Sequence, residues 1–218
     1  MKKALILGAT GLIGSHVVGG LLDHPSYEEI RVVTRSRIPV DHPKLHQTVI
    51  DFDDLSDYED CFDVDELFIC LGTTMKQAGS REAFYQVDFK YVVEAAKLAK
   101  KCHVPTVLVV SAMGADSDSM FFYSRVKGNM ENELRNLGLH CLKIFQPSLL
   151  LGERSELRLG EKIGEYAYRI FGLAMIGKWK KLKPIHAETV ANAMIKEAQQ
   201  GGSVIITYTS EEIAVMGK

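Results

Sequence analysis

Cysteine is scarce and scattered in this chain of 218 residues. Cys61, Cys70, Cys102 and Cys141 lie far apart and none forms a Cys-x-x-Cys pair. That argues against a disulfide framework or a thiolate zinc site and for a reducing cytosol, so the expected location is cytoplasmic. Neither sign of charge dominates: the net charge is −2 and the isoelectric point about 6.4, which leaves no footprint for nucleic acid. No uninterrupted apolar run is long enough to span a bilayer. Met1-Lys2-Lys3 ahead of an apolar stretch imitates a secretory signal, but Gly8, Gly11 and Gly14 break the stretch. No small-residue cleavage site follows it either. His42 and His46 lack the spacing of metal ligands, and no metal is expected. Repeats, low-complexity tracts and linkers are also missing. With 46% hydrophobic and 25% charged residues, the composition is that of a soluble globular domain.

What is present begins at once. Ala4 to Leu7 is an apolar strand, followed by Gly8, Gly11 and Gly14 and then an apolar helix start. A strand–glycine–helix turn brings backbone and a helix N-terminus up to a pyrophosphate. The first two glycines let the chain turn and the phosphates approach, and the third lets helix and strand pack closely. The contacts expected here are Gly8, Thr10, Gly11, Leu12, Ile13 and Gly14. The spacing is Gly-x-x-Gly-x-x-Gly rather than Gly-x-Gly-x-x-Gly, and an ordinary glycine-rich turn stands as the alternative.

Short β-branched runs then alternate with helical patterns. Strands are predicted at Ala4–Leu7, Ile30–Thr34, His46–Ile50, Leu67–Cys70, Thr106–Val110, Leu139–Phe145 and Val204–Thr207. Helices are predicted at Leu12–Asp23, Arg81–Lys101, Phe122–Leu137, Leu159–Phe171 and Ala187–Gln200. Apolar strands separated by helices predict an α/β fold with a doubly wound parallel sheet. We expect one Rossmann-like domain over residues 1–218, with its core at about 1–150 and a small C-terminal substrate-side extension at about 151–218.

In such a sheet the ligand sits beyond the C-terminal strand ends. After the second strand comes Thr34-Arg35-Ser36-Arg37. An acid here would hold a ribose 2′-hydroxyl; two arginines and two hydroxyls suit a 2′-phosphate, so Thr34, Arg35 and Arg37 point to NADP rather than NAD. A solvated basic loop is the alternative. Asp51 and Phe52 follow the third strand and could flank an adenine, or Asp51 is a plain polar residue at a strand end. Leu71, Gly72 and Thr73 follow the fourth strand, where a glycine permits close backbone approach; a simple capped turn is the alternative. Ser111 ends the fifth strand. Tyr123 and Lys127 are four apart on a predicted helix and so share a face. A nearby ammonium stabilises a phenolate and fits tyrosine for proton exchange with a hydroxyl or carbonyl, while serine holds the substrate oxygen. His186 is expected to be a cap or loop residue. Glu153 and Arg154 read as a solvated loop pair, and Trp179 as an anchored aromatic in a basic surface turn.

Together these segments resemble the short-chain dehydrogenase/reductase superfamily, in particular its atypical branch with the Tat-interactive-protein-like oxidoreductases. The resemblance is carried by Gly8-Ala-Thr-Gly11-Leu-Ile-Gly14, Cys70-Leu-Gly-Thr-Thr74, Val87-Asp88, Ser111-Ala-Met-Gly-Ala-Asp116 and Tyr123-Ser-Arg-Val-Lys127-Gly-Asn-Met-Glu131. It implies that Ser111, Tyr123 and Lys127 are the catalytic trio, that Lys127 also binds the nicotinamide ribose, and that Pro147 borders the nicotinamide. It extends to this chain the helix-paired homodimer common in relatives. Three departures stand out. Asp88 occupies the region where the superfamily often has asparagine. Gln146-Pro147-Ser148 replaces Arg-Pro-Gly. The substrate-side portion is short, which argues against large sugar-nucleotide substrates.

The function expected is thus NADP-dependent hydride transfer to or from a small carbonyl or alcohol, without membrane or nucleic-acid partners. Two rivals remain open: a cofactor-binding redox sensor or scaffold without turnover, and an epimerase or isomerase that retains its cofactor.

Overall fold

The computed structural model describes residues 1–151 and 183–218. The helix expected at Leu159–Phe171, and Glu153, Arg154 and Trp179, lie outside the described residues.

Strand β1 (Lys2–Leu7) leads through the glycine turn into α1 (Leu12–Asp23). Then come β2 (Tyr27–Thr34), β3 (Leu45–Val49), two 3₁₀ turns (Phe52–Asp57 and Glu59–Phe62) and β4 (Glu66–Ile69). The short α2 (Met75–Ala78) and α3 (Arg81–Tyr85) follow. A π-turn (Gln86–Lys90) joins α3 to α4 (Tyr91–Lys101). Next are β5 (Thr106–Val110), α5 (Phe122–Asn136), β6 (Cys141–Gln146) and β7 (Leu150–Leu151). The chain continues with β8 (Ile185–His186), α6 (Ala187–Ala198), β9 (Val204–Thr209) and α7 (Ser210–Met216).

Seven strands form one sheet in the order β3-β2-β1-β4-β5-β6-β9, and every pair is parallel. The reason lies in the strand sequences. Their apolar residues are continuous, so with side chains alternating across the pleat both faces are hydrophobic and both must be covered. Ile6, Phe68, Leu108 and Phe145 face one core with Val17, Leu21, Val190 and Met194 of α1 and α6. Leu5, Leu67, Val107 and Ile144 face the other with Val92, Ala96, Met130 and Leu134 of α4 and α5. The strand order reverses between β1 and β4, which opens a crevice past their C-terminal ends.

Several elements depart from the sequence expectations, among them α2, which no predicted element covers. The helix expected over Arg81–Lys101 contains the π-turn. The β7–β8 pair and α7 have no counterpart among the predicted elements; α7 starts on a capping box in which Thr209 and Glu212 satisfy each other's backbone N–H groups. His186 ends β8 and precedes α6 as its exposed N-cap residue, with no side-chain cap bond.

Candidate active site

The glycine turn is shaped by close approach. Gly8 has φ +87°, and a Cβ there would lie 2.5 Å from the Cys70 carbonyl oxygen; a Cβ at Gly14 would lie 2.1 Å from the Gly8 oxygen. A side chain at either would drive β1, β4 and α1 apart. Gly11 N–H closes the turn on the Gly8 oxygen at 2.9 Å. Gly11 then serves as N-cap of α1 without any side-chain acceptor, and the first turn carries no acid. The positive end of this helix is therefore left for an anion from outside the chain.

A cleft opens over this turn, walled by Gly8, Thr10 and Gly11, by Thr34 and Arg35, by Phe52 and Tyr91, and by Leu71 and Gly72. Several expected cofactor residues thus converge. Others take different places. The Ile13 side chain is buried in the core and Leu12 packs against it, so these two can offer a ligand only backbone. Thr34 is buried and donates its hydroxyl to the Ser36 carbonyl at 2.8 Å, which folds the basic loop. Arg37 borders a neighbouring depression with His42 and His46, apart from Arg35. Asp51 is exposed and caps the first 3₁₀ turn by accepting the Asp53 N–H. Thr73 N–H is donated to Asp88 at 2.8 Å. Pro147 is buried just past β6, and its carbonyl accepts the Met113 N–H at 2.9 Å.

The sequence expectations omit Tyr91, whose ring lies 5.5 Å from that of Phe52 and whose hydroxyl donates to Asp53 at 2.8 Å. They also omit Val33, Val87 and Cys70 on the cleft wall. Burial pushes the Cys70 thiol up to about 12, so this cysteine is a packing residue rather than a nucleophile. Helix periodicity could have offered Tyr91 and Val87; nothing local marks them as cleft residues.

Tyr123 and Lys127 stand one turn apart on α5. Tyr123 is 39% exposed, and its ring packs 5.5 Å from that of Phe84. Lys127 is buried, with its ammonium 2.7 Å from Asp88 Oδ1. Burial raises the Tyr123 phenol above its ordinary value; Lys127 opposes that rise and Asp88 adds to it. Packing, and to a lesser degree the counter-charge, thus work against the phenolate that Lys127 favours.

Ser111 is buried and donates its hydroxyl to Glu131 Oε1 at 2.5 Å. Glu131 also accepts from Gln146 at 2.9 and 3.1 Å and from Arg135 at 2.8 Å. Gln146 thus satisfies a buried carboxylate. Lys127 and Glu131 are one turn apart, so the Glu131 arrangement could have been suspected from spacing, but its bond to the end of β5 is visible only in the fold.

The cleft fits a dinucleotide: it joins a glycine turn with no room for a Cβ, an uncapped acid-free helix start, a basic loop and an aromatic pair. Residues 4–122 match the family model described as the NAD dependent epimerase/dehydratase family. Protein HTATIP2 of Rattus norvegicus is 32% identical over 206 residues, covering 93% of this chain and 83% of that protein. Protein FMP52, mitochondrial, of Candida albicans is 32% identical over 212 residues, covering 91% and 89%. Among solved structures, UDP-glucose 4-epimerase of Thermotoga maritima with UDP-glucose superposes with a TM-score of 0.71 at 14% identity, covering 98% of this chain and 80% of that one. MoeE5 in complex with UDP-glucose and NAD gives 0.69 at 16%, covering 99% and 80%. The cytoplasmic expectation is corrected here: fungal relatives are named mitochondrial, which points away from the cytosol. The expectation rested on scattered cysteines, which do not single out one compartment. Among the described residues no helix is long and apolar enough to cross a membrane.

Proposed function

The chain belongs to the NAD dependent epimerase/dehydratase family, and from that membership we propose that it is an NADP-dependent oxidoreductase acting on a small carbonyl or alcohol. The observation that carries the reading is the Tyr123–Lys127 pair beside a cleft that fits a dinucleotide. A nicotinamide held there would supply or accept the hydride exchanged with the substrate carbon. Gly8, Gly11 and the first turn of α1 hold the pyrophosphate, and Phe52 and Tyr91 flank the adenine. Arg35 takes the 2′-phosphate, with Arg37 extending the basic loop. Lys127 orients the ribose, Pro147 borders the nicotinamide, and Tyr123 exchanges the proton with the substrate oxygen. Ser111 steadies that oxygen: it accepts from an alcohol as it stands, and to donate to a carbonyl it must release Glu131.

Calorimetric titration with NADPH and NADH, and turnover against a panel of aldehydes, ketones and quinones, test this. NADPH should bind at least about tenfold more tightly, since a charge-assisted 2′-phosphate contact is lost with NADH; a preference for NADH refutes the roles of Arg35 and Arg37. Tyr123→Phe should cut turnover by about 100-fold or more while NADPH affinity stays within about twofold. Undiminished turnover would sink the assignment. The family description favours one other reading, an epimerase that keeps its cofactor; a copurifying nucleotide that does not exchange marks that outcome.

A further inference from the structure

Arg35, Ser36 and Arg37 are all exposed, so packing does not hold the loop that carries the two arginines. A phosphate site on such a loop is strong only where the loop is held ready, because ordering it on binding takes away affinity. Two anchors hold this one. At its start, the Thr34 carbonyl accepts the Ile50 N–H at 2.9 Å, and the Thr34 hydroxyl donates to the Ser36 carbonyl at 2.8 Å. At its far end the anchor is Gln47, which lies outside the loop, paired with Val32 in the β2–β3 register. Its Oε1 accepts the Ile38 N–H at 3.0 Å, and its Nε2 donates to the Ile38 carbonyl at 3.3 Å and to the Val40 carbonyl at 3.1 Å. One amide side chain thus meets both backbone groups of Ile38, as a neighbouring strand would. Its oxygen and both Nε2 hydrogens are used, a set that glutamate and aliphatic side chains do not offer. The Ile38 side chain packs against the core that holds α1. Residues 35–37 are therefore suspended between fixed ends, with Arg35 on the cleft wall.

We infer that Gln47 is a positioning residue for dinucleotide choice, a role that rests on the NADP reading. It clasps the basic loop from β3 and holds the arginines ready for a 2′-phosphate, although it lies outside the cleft wall itself. Removing the clasp frees the backbone at Ile38 and Val40, and the loop then samples other conformations. Affinity for the phosphate falls in proportion to the fraction of chains with the loop in place. NADH makes no charge-assisted contact there and does not register the change.

Limited trypsin digestion of the native full chain reads the loop without any cofactor. Gln47→Ala, checked for folding by circular dichroism, should speed cleavage after Arg35 and Arg37 by about tenfold; an unchanged rate overturns the inference. Gln47→Met keeps the length of the side chain and loses its hydrogen bonds, so it should be cleaved as Gln47→Ala is. Protection equal to wild type would assign the effect to packing and overturn the clasp. Calorimetric titration reads the dinucleotide choice. Either variant should bind NADPH about fivefold more weakly and NADH within about twofold of wild type; equal weakening of both marks a general loss of structure and overturns the inference. With Arg35→Ala and Arg37→Ala already in place, the Gln47 change should move NADPH affinity by less than about twofold, since nothing is left to position. An undiminished loss in that background overturns it. A wild type that prefers NADH, or binds neither, sinks the NADP reading and the role of Gln47 together. A wild type that prefers NADPH, beside a Gln47 variant that keeps the whole preference, sinks the role of Gln47 alone.

Discussion

At Gly14 one methyl group decides whether the turn closes. Its added carbon would lie 2.1 Å from the Gly8 oxygen, and that oxygen is backbone, which cannot rotate away. Gly14→Ala should therefore destabilise the chain by about 1–3 kcal/mol and weaken NADPH binding along with it. The midpoint of urea denaturation and a binding titration check both; an unchanged midpoint would mean that α1 can shift without cost. The turn is legible in the sequence because its constraint is local: strand, turn and helix start are consecutive residues. Ser111 and Glu131 show the opposite case. Each can be named from a motif, yet the hydroxyl's partner is set by how the end of β5 meets α5, a long-range contact that no spacing encodes. Thr34 and Asp51 look ligand-facing in the sequence, and both have local hydrogen-bonding work of their own, the usual competition for short polar side chains at strand ends.

Among elements, the parallel strands are readable because burial on both faces demands unbroken apolar runs, and those runs stand out. The π-turn is not. One extra residue leaves the apolar spacing of Arg81–Lys101 nearly unchanged, while it rotates Asp88 to the inside. The join between β6 and α6 is also hidden. Lys143, in the middle of an otherwise apolar strand, donates to the Glu197 carbonyl at 2.6 Å, to the Gln200 carbonyl at 2.9 Å and to the Glu197 carboxylate at 3.1 Å. It is a cation placed on the carbonyl end of α6, and Tyr208 of β9 donates to the same carboxylate at 2.5 Å. Lys143→Met would strand that carboxylate in the interior. The expected cost is about 3–5 kcal/mol, read from urea denaturation. A loss below about 1 kcal/mol would show that Tyr208 and Gln200 suffice for Glu197.

Across the whole molecule the two ends of the sheet do different jobs. The C-terminal strand ends are spread around the cleft, and the N-terminal ends are tied together. Lys2 at the start of β1 pairs with Glu66 at the start of β4 at 2.6 Å. The Tyr27 hydroxyl at the start of β2 donates to the same carboxylate, and Gln199 just after α6 donates to that hydroxyl at 2.6 Å. Parallel strands bring these starts to one edge, where Lys2 and Tyr27 meet on the buried Glu66 carboxylate and Gln199 joins through the Tyr27 hydroxyl. Burial and the Glu66 charge raise the Tyr27 phenol far above its ordinary value. Linkage gives the sign of the pH dependence. The unfolded chain loses this proton near the ordinary tyrosine value of about 10 and the folded chain retains it. The stabilisation is complete below about pH 10 and is lost above it, at about 1.4 kcal/mol per pH unit. Tyr27→Phe should lower stability at neutral pH by removing a donor to Glu66, and should flatten the alkaline decline by about that slope. Urea denaturation of both proteins at a series of pH values above about 10 measures it. Parallel declines would mean that Tyr27 ionises within the fold, and that the closed end of the sheet tolerates two adjacent negative charges.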